Sequence, residues 1–298
     1  MDMPKKAKMG KITEKLTNFV YRTQFSDLPK DVVRETKHVL LDSIGCAINA
    51  LSSDNGRISV ELAKRLGGLP ESSIIGTGDK VSCANAAFAN GQLINSMDYD
   101  AICAGHDSPT VIAAALALAE SVGASGKDLI LAIALGHEVD TRIASATGVR
   151  EEWWGFATTI EDGPDQGKIR FADTDGHARS TFGAAVAAGK ILNLSQEQLA
   201  NAIGIAGSIC LPDTLAKWLE VTPHRMTKYG PAGWAAQAGV TSALLAEMDF
   251  TGDTTIFEGK RGYWRYTGRL EWNHERVLEN LGTEWKQKIT YKHYPGGI

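Results

Sequence analysis

The run Thr-Val-Ile-Ala-Ala-Ala-Leu-Ala-Leu-Ala, starting at Thr110, constrains this chain more than any other stretch. It carries no charge, so water is a poor environment for it, yet it falls short of the ~18 apolar residues of a membrane span. Alanine favours helix and adds almost no side-chain bulk. A helix over residues 109–122 is therefore expected to be buried and closely packed by its neighbours.

Helical signals recur on both sides of it. A first helix is expected at 13–21. Pro29 suits the first turn of a second, in which Val33, Leu40, Ile44, Ala47 and Leu51 form one apolar face. Further helices are expected at 57–66, closed by Gly67-Gly68, at 84–97 and at 232–248. Ser125 with Asp128, and Ser195 with Gln198, have the spacing of capping boxes opening two more. Ser180 or Thr181 is expected to cap a helix over 183–192. Ser73-Ile74-Ile75-Gly76-Thr77-Gly78 reads as a short β-like piece ending in a turn, and its G-x-G lacks the rest of a dinucleotide fingerprint. The pattern breaks at 151–176, a charged, Gly-rich stretch with Trp153-Trp154, expected to be a long loop of the kind that forms lids. After Trp264, residues 265–267 are expected to be extended and 286–294 to form a strand. A lone strand needs partners, and Pro295-Gly296-Gly297-Ile298 resembles a turn, so further chain is expected to follow. The fold class is mainly α: a basic flexible tail at 1–12, an all-helical domain at 13–270, and the beginning of a small α+β domain at 271–298.

The net charge of −4 argues against a nucleic-acid partner. Lys5, Lys6, Lys8 and Lys11 make the N-terminus basic, but no apolar region follows as in a signal peptide, and no run suggests a membrane. Cys46, Cys83, Cys103 and Cys210 lie far apart, without metal-ligand spacing. Free thiols fit a reducing, cytoplasmic compartment. Cys46 and Cys210 are expected in the core, whereas Cys103 lies in a polar loop and is kept as a site candidate.

Four groups of residues can carry chemistry. Asp98-Tyr99-Asp100 shares a loop with His106, and a carboxylate beside an imidazole serves general acid–base work. His177 ends the long loop. Lys228, with His224 and Arg225 nearby, precedes the helix containing Gly233. Lys292-His293 ends the expected strand. Each has a plainer reading as a solvated surface group. Motifs for a P-loop, a zincin or a Ser-His-Asp triad are missing, and no cofactor or metal is expected. Histidines, aspartates and lysines suit proton abstraction next to a carboxylate, with cations neutralising the developing charge.

Together these stretches resemble the MmgE/PrpD family, which includes 2-methylcitrate dehydratase, cis-aconitate decarboxylase and an iminodisuccinate epimerase. The resemblance runs nearly end to end. It is carried by Asp27-Leu28-Pro29, Leu41-Asp42-Ser43-Ile44-Gly45, Gly76-Thr77-Gly78, Met97-Asp98-Tyr99-Asp100, Gly126-Lys127-Asp128-Leu129, Gly136-His137-Glu138-Val139, Phe182-Gly183-Ala184-Ala185, Asn201-Ala202-Ile203-Gly204, Phe257-Glu258-Gly259 and Lys292 with Tyr294-Pro295. It implies a large helical domain, a small α+β domain and a site between them. Asp98, His106, Lys228 and Lys292 match catalytic positions, and His177 matches a loop histidine across a gap. The chain departs from the family at Ala101 and Ile102, where Asp-Thr is usual, and at Asn95, Asp107 and Pro231. Ile102 lacks a hydroxyl, and Asp107 is expected to repel a substrate carboxylate.

The resemblance implies a cofactor-independent lyase of the 2-methylcitrate dehydratase type, acting on a small hydroxy-polycarboxylate. His106 or His177 would remove a proton, Lys228, Lys292 and Arg225 would bind carboxylates, and Asp98 would orient a histidine or the substrate. Decarboxylation of cis-aconitate and epimerisation are the alternatives within the family. A non-catalytic or split subunit needing a partner chain is the alternative outside it. A homodimer through the helical domain is expected.

Overall fold

The computed structural model describes residues 9–146, 158–159, 169–170, 178–210, 221–266 and 272–295. The sequence accounts for most of the helices: α1 Lys11–Arg22, α2 Lys30–Ala50, α3 Asp54–Leu66, α4 Cys83–Asn95, α5 Ser108–Ser121, α6 Gly126–Ala146, α7 Ser180–Ile191, α8 Gln196–Ile209 and α9 Pro231–Glu247. Two short ones follow, α10 Tyr263–Tyr266 and α11 His274–Leu278. Described β structure comprises two antiparallel ladders, β1 Ser72–Ser73 with β2 Lys80–Val81, and β3 Thr158–Thr159 with β4 Ile169–Arg170, and one isolated bridge. No described helix is long and apolar enough to cross a membrane.

The alanine-rich run is the centre of the body. Nearly all of α5 is buried, and α4, α6, α7 and α9 pack around it. Small residues set the spacing. A Cβ added at Gly136 on α6 would stand 2.8 Å from the Gly183 carbonyl oxygen on α7, and one added at Gly91 on α4 would stand 2.9 Å from Gly233 Cα on α9. Gly183→Ala is therefore expected to cost about 1–3 kcal/mol by overpacking. Gly45→Ala, on an open face of α2 with nothing within 4 Å, should instead stabilise by about 0.5–1 kcal/mol. Denaturant unfolding of the two variants checks the opposite signs.

Helix ends follow side-chain chemistry. Ser195 and Gln198 make the reciprocal capping box, and Ser125 and Asp128 do the same for α6. Pro29 sits at the N-cap of α2 rather than inside its first turn. Neither Ser180 nor Thr181 caps α7. Both lie within it, and the N-cap is Arg179, whose side chain makes no capping bond to the helix.

Three other expectations change. On α2 the buried face is Val32, Thr36, Val39, Ser43, Cys46, Ala47 and Ala50. Val33, Leu40, Ile44 and Leu51 are only half-buried. The closely packed neighbours admit small side chains, and Thr36 satisfies its hydroxyl on the Val32 carbonyl, so size rather than hydrophobicity selects the face. Arg265 and Tyr266 lie in the helical turn α10, not in extended chain. Residues 286–294 form no strand; the segment makes one antiparallel bridge, Thr290 with Ile102. Its upstream N–H groups are spent on a side chain, since Lys286 and Gln287 both donate to Glu138 Oε2. Most of the expected loop at 151–176 lies outside the described residues.

Candidate active site

Three pieces of chain meet beside the C-terminal end of α4. The turn after α4 supplies Asp98, whose φ of 51° is a left-handed conformation that aspartate tolerates. The same loop supplies Asp100 and, before α5, His106. A 3-10 turn at Met226–Lys228, leading into α9, brings Lys228. The bridged segment after Thr290 brings Lys292.

Asp98 is the hub. Lys228 Nζ donates to its Oδ2 at 2.8 Å. Lys292 Nζ donates to its Oδ1 at 2.6 Å and to its carbonyl at 2.9 Å. His106 Nε2 lies 3.5 Å from the same Oδ1. Burial alone would push the Asp98 carboxyl up, but the two ammonium groups outweigh it and hold it below the usual range. Burial likewise acts against a charged Lys228, yet its bond to Asp98 carries the balance upward. Tyr229 adds its hydroxyl at 3.3 Å from Lys228 Nζ.

His106 is oriented by Asp100, not by Asp98. Its Nδ1 lies 2.7 Å from Asp100 Oδ2, and the Asp100 side chain is wholly buried. A carboxylate only accepts, so Nδ1 carries the proton and Nε2 faces Asp98 and the lysines. Asn95 Nδ2 donates to the other Asp100 oxygen at 3.0 Å, fixing the carboxylate in turn. Burial disfavours the imidazolium, but Asp100 prevails and raises the His106 pKa. Asp100 and Asn95 are the members of the site that sequence reasoning left out of its catalytic set. The signal was present in the Asp-Tyr-Asp spacing, which puts two carboxylates near one imidazole.

The remaining candidates fall differently. Arg225 is exposed, and its described bond to the site is through its carbonyl, which accepts the Lys228 N–H. His177 lies outside the described residues. The Cys103 thiol stands 3.3 Å from the Thr141 hydroxyl and is pushed up to about 12, first by burial and then by Asp107, so it is no nucleophile. Asp107 does not face solvent. It is buried and accepts from Arg179 Nη2 at 2.8 Å, from Ser180 Oγ at 3.1 Å and from the Ala104 N–H at 2.8 Å. Arg179 also donates to the Ala104 carbonyl. Burial opposes the charge, but the guanidinium brings the Asp107 pKa down to about 2. Asp107 and Arg179 thus brace the loop that carries His106.

Asp98, Asp100 and His106 offer atoms that all lie within 4.8 Å of one another, the spacing of a cation site. Both Asp98 oxygens already accept from ammonium groups. The donor set therefore suits a protonated histidine and anionic ligands better than a divalent ion, which two lysines would repel.

Residues 14–272 match the MmgE/PrpD N-terminal domain. A cis-aconitate decarboxylase-like protein, oryM, of Aspergillus oryzae is 30% identical over 93% of this chain and 56% of its own length. The cis-aconitate decarboxylase of Homo sapiens is 26% identical over 96% of this chain and 57% of its own. That of Aspergillus terreus is 25% identical over 94% and 55%. The chain spans about half the length of these relatives. With the family's domain matched over most of its residues, the chain belongs to the MmgE/PrpD family.

Proposed function

We propose that this chain carries the site of a cofactor-independent lyase for a small polycarboxylate, with decarboxylation of a cis-aconitate-like acid as the first reading. The observation that carries it is the convergence of two lysine ammoniums and the His106 Nε2 on one buried carboxylate. Asp98 holds the two lysine side chains on its two oxygens and favours the charged form of Lys228, so they present paired donors to substrate carboxylates. His106, oriented by Asp100, stands ready to exchange a proton with carbon.

In decarboxylation the bond from carbon to a carboxylate breaks, CO2 leaves, and the electron pair shifts through the neighbouring double bond. The far carbon then takes the proton from His106 Nε2, and the ring is reprotonated from solvent. The lysines stabilise charge as it spreads onto the remaining carboxylates. The raised pKa of His106 favours this order of events, since an acid must hold its proton near neutral pH. The names of the similar proteins point the same way.

Dehydration of a 2-methylcitrate-like acid is the second reading. There the neutral imidazole takes a proton beside a carboxylate and hydroxide leaves the adjacent carbon.

Incubation in D2O, followed by 13C NMR, separates the readings. With cis-aconitate, decarboxylation gives CO2 and a product holding one solvent deuteron on carbon. With 2-methylcitrate, dehydration gives a new alkene without CO2. Neither product, and no solvent deuterium in either acid, would overturn the proposal.

A further inference from the structure

We propose that the buried Glu138–Arg142 pair on α6 is a positioning device that delivers Lys292 to Asp98 and His106. The proposal rests on the reading of Lys292 as a site residue. It concerns how a lysine on an irregular segment acquires a defined place.

Lys292 lies on chain with neither helix nor ladder, and the bridge at Thr290 is two hydrogen bonds wide. Such a segment is entropically free unless something anchors it. The anchor lies upstream. Glu138 and Arg142 stand one turn apart, with Arg142 Nε donating to Glu138 Oε1 at 2.7 Å and side chains 1% and 0% exposed. Each turns its remaining capacity on the incoming backbone. Arg142 Nη1 donates to the carbonyls of Val277 at 3.1 Å and Glu279 at 2.7 Å, and Nη2 to that of Glu284 at 2.7 Å. Glu138 Oε2 accepts the N–H of Lys286 at 2.8 Å and of Gln287 at 3.0 Å. Backbone groups of five residues thus end on one ion pair.

Stability is a weak reason for such a pair, because well-packed apolar residues usually do as well in its place. Directionality is a better one. The guanidinium fork holds three carbonyls at fixed angles, which an ammonium cannot match. Five extended residues span at most about 18 Å. A chain fixed at Gln287 and registered at Thr290 therefore has little freedom in where it places Lys292. The same helix contributes Asp140 and Thr141 to the packing beneath the His106 loop, so clamp and site share one rigid support.

The test is the titration of the His106 imidazole, followed by NMR in the whole chain without substrate. The Lys292 ammonium opposes protonation of His106, so Lys292→Met should move the His106 titration to higher pH. If the pair delivers Lys292, Arg142→Met should move it upward by the same amount, and adding Lys292→Met should then change nothing. Gln287→Pro removes one of the anchored N–H groups from the tail side and leaves α6 intact, so it decides the matter should Arg142→Met fail to fold. Arg142→Lys, holding fewer carbonyls, should fall between. The inference is overturned if a folded Arg142→Met or Gln287→Pro chain still shows the full wild-type response to Lys292→Met. No turnover is read, so a failed lyase assay and a failed clamp are separate outcomes.

Discussion

His106→Gln is expected to lower turnover by about 10²- to 10⁴-fold, the usual contribution of a positioned acid or base. The fold should be kept, since the ring is 31% exposed and braced from outside. The pH profile of the unaltered site then assigns its role. If protonated His106 delivers the proton, kcat falls as pH rises through its raised pKa. If the neutral ring is the base, kcat rises over the same interval. Asp100→Asn sharpens the test. An amide withdraws the charge that supports the imidazolium, so the His106 pKa falls and the limb moves to lower pH. The amide also leaves one acceptor oxygen for two donors, Asn95 Nδ2 and His106 Nδ1, so the Nδ1–H tautomer is held less firmly and kcat drops together with the shift. A merely structural Asp100 would lower stability and leave the limb in place. Steady-state kinetics from pH 5 to 9 distinguish these outcomes.

The lysines are expected to be non-additive in stability and severe in activity. Lys228→Ala alone leaves Asp98 its bond to Lys292, and the reverse holds for Lys292→Ala. Each single variant should therefore fold, while losing about 10- to 10²-fold in kcat/KM for each charge-assisted bond of about 1.5–3 kcal/mol to substrate. The double variant strands a carboxylate whose side chain is 3% exposed, and breaking a buried pair costs about 3–5 kcal/mol. The sign of the pH dependence follows. In the natural chain the depressed pKa of Asp98 stabilises the fold fully above the ordinary carboxylate value, and that contribution is lost as pH falls through the folded value. In the double variant Asp98 is unpaired, and protonation relieves it. The gap between the two chains should therefore be widest near neutral pH and narrow in acid. Urea unfolding at pH 7 and pH 4 measures it, and an equal gap at both values would show that Asp98 is not the seat of the effect.

Much of the site can be read from residue types. Asp98, His106, Lys228 and Lys292 are identified as chemistry-bearing from motif and resemblance, and all four meet. The division of labour between the two aspartates is not legible. Alternation along Asp98-Tyr99-Asp100 says only that the carboxylates share a side. Which one meets the imidazole depends on the left-handed turn at Asp98. Asp107 misleads for a related reason. A charge in a loop suggests solvent or substrate, but Arg179, 72 positions away, buries and neutralises it.

The alanine-rich run by itself determined that this is a helical body with closely approaching helices, because small uncharged residues leave no other way to exclude water. Capping boxes determined where α6 and α8 begin, because those bonds span three residues. The tertiary structure alone decided that Lys292 reaches Asp98 across 194 positions, and that the segment carrying it is anchored on an ion pair rather than in a sheet. Periodicity fixes which face of a helix turns inward, within one element. Hydrogen bonds between distant elements need matching to a few tenths of an ångström, and only the packed body supplies it.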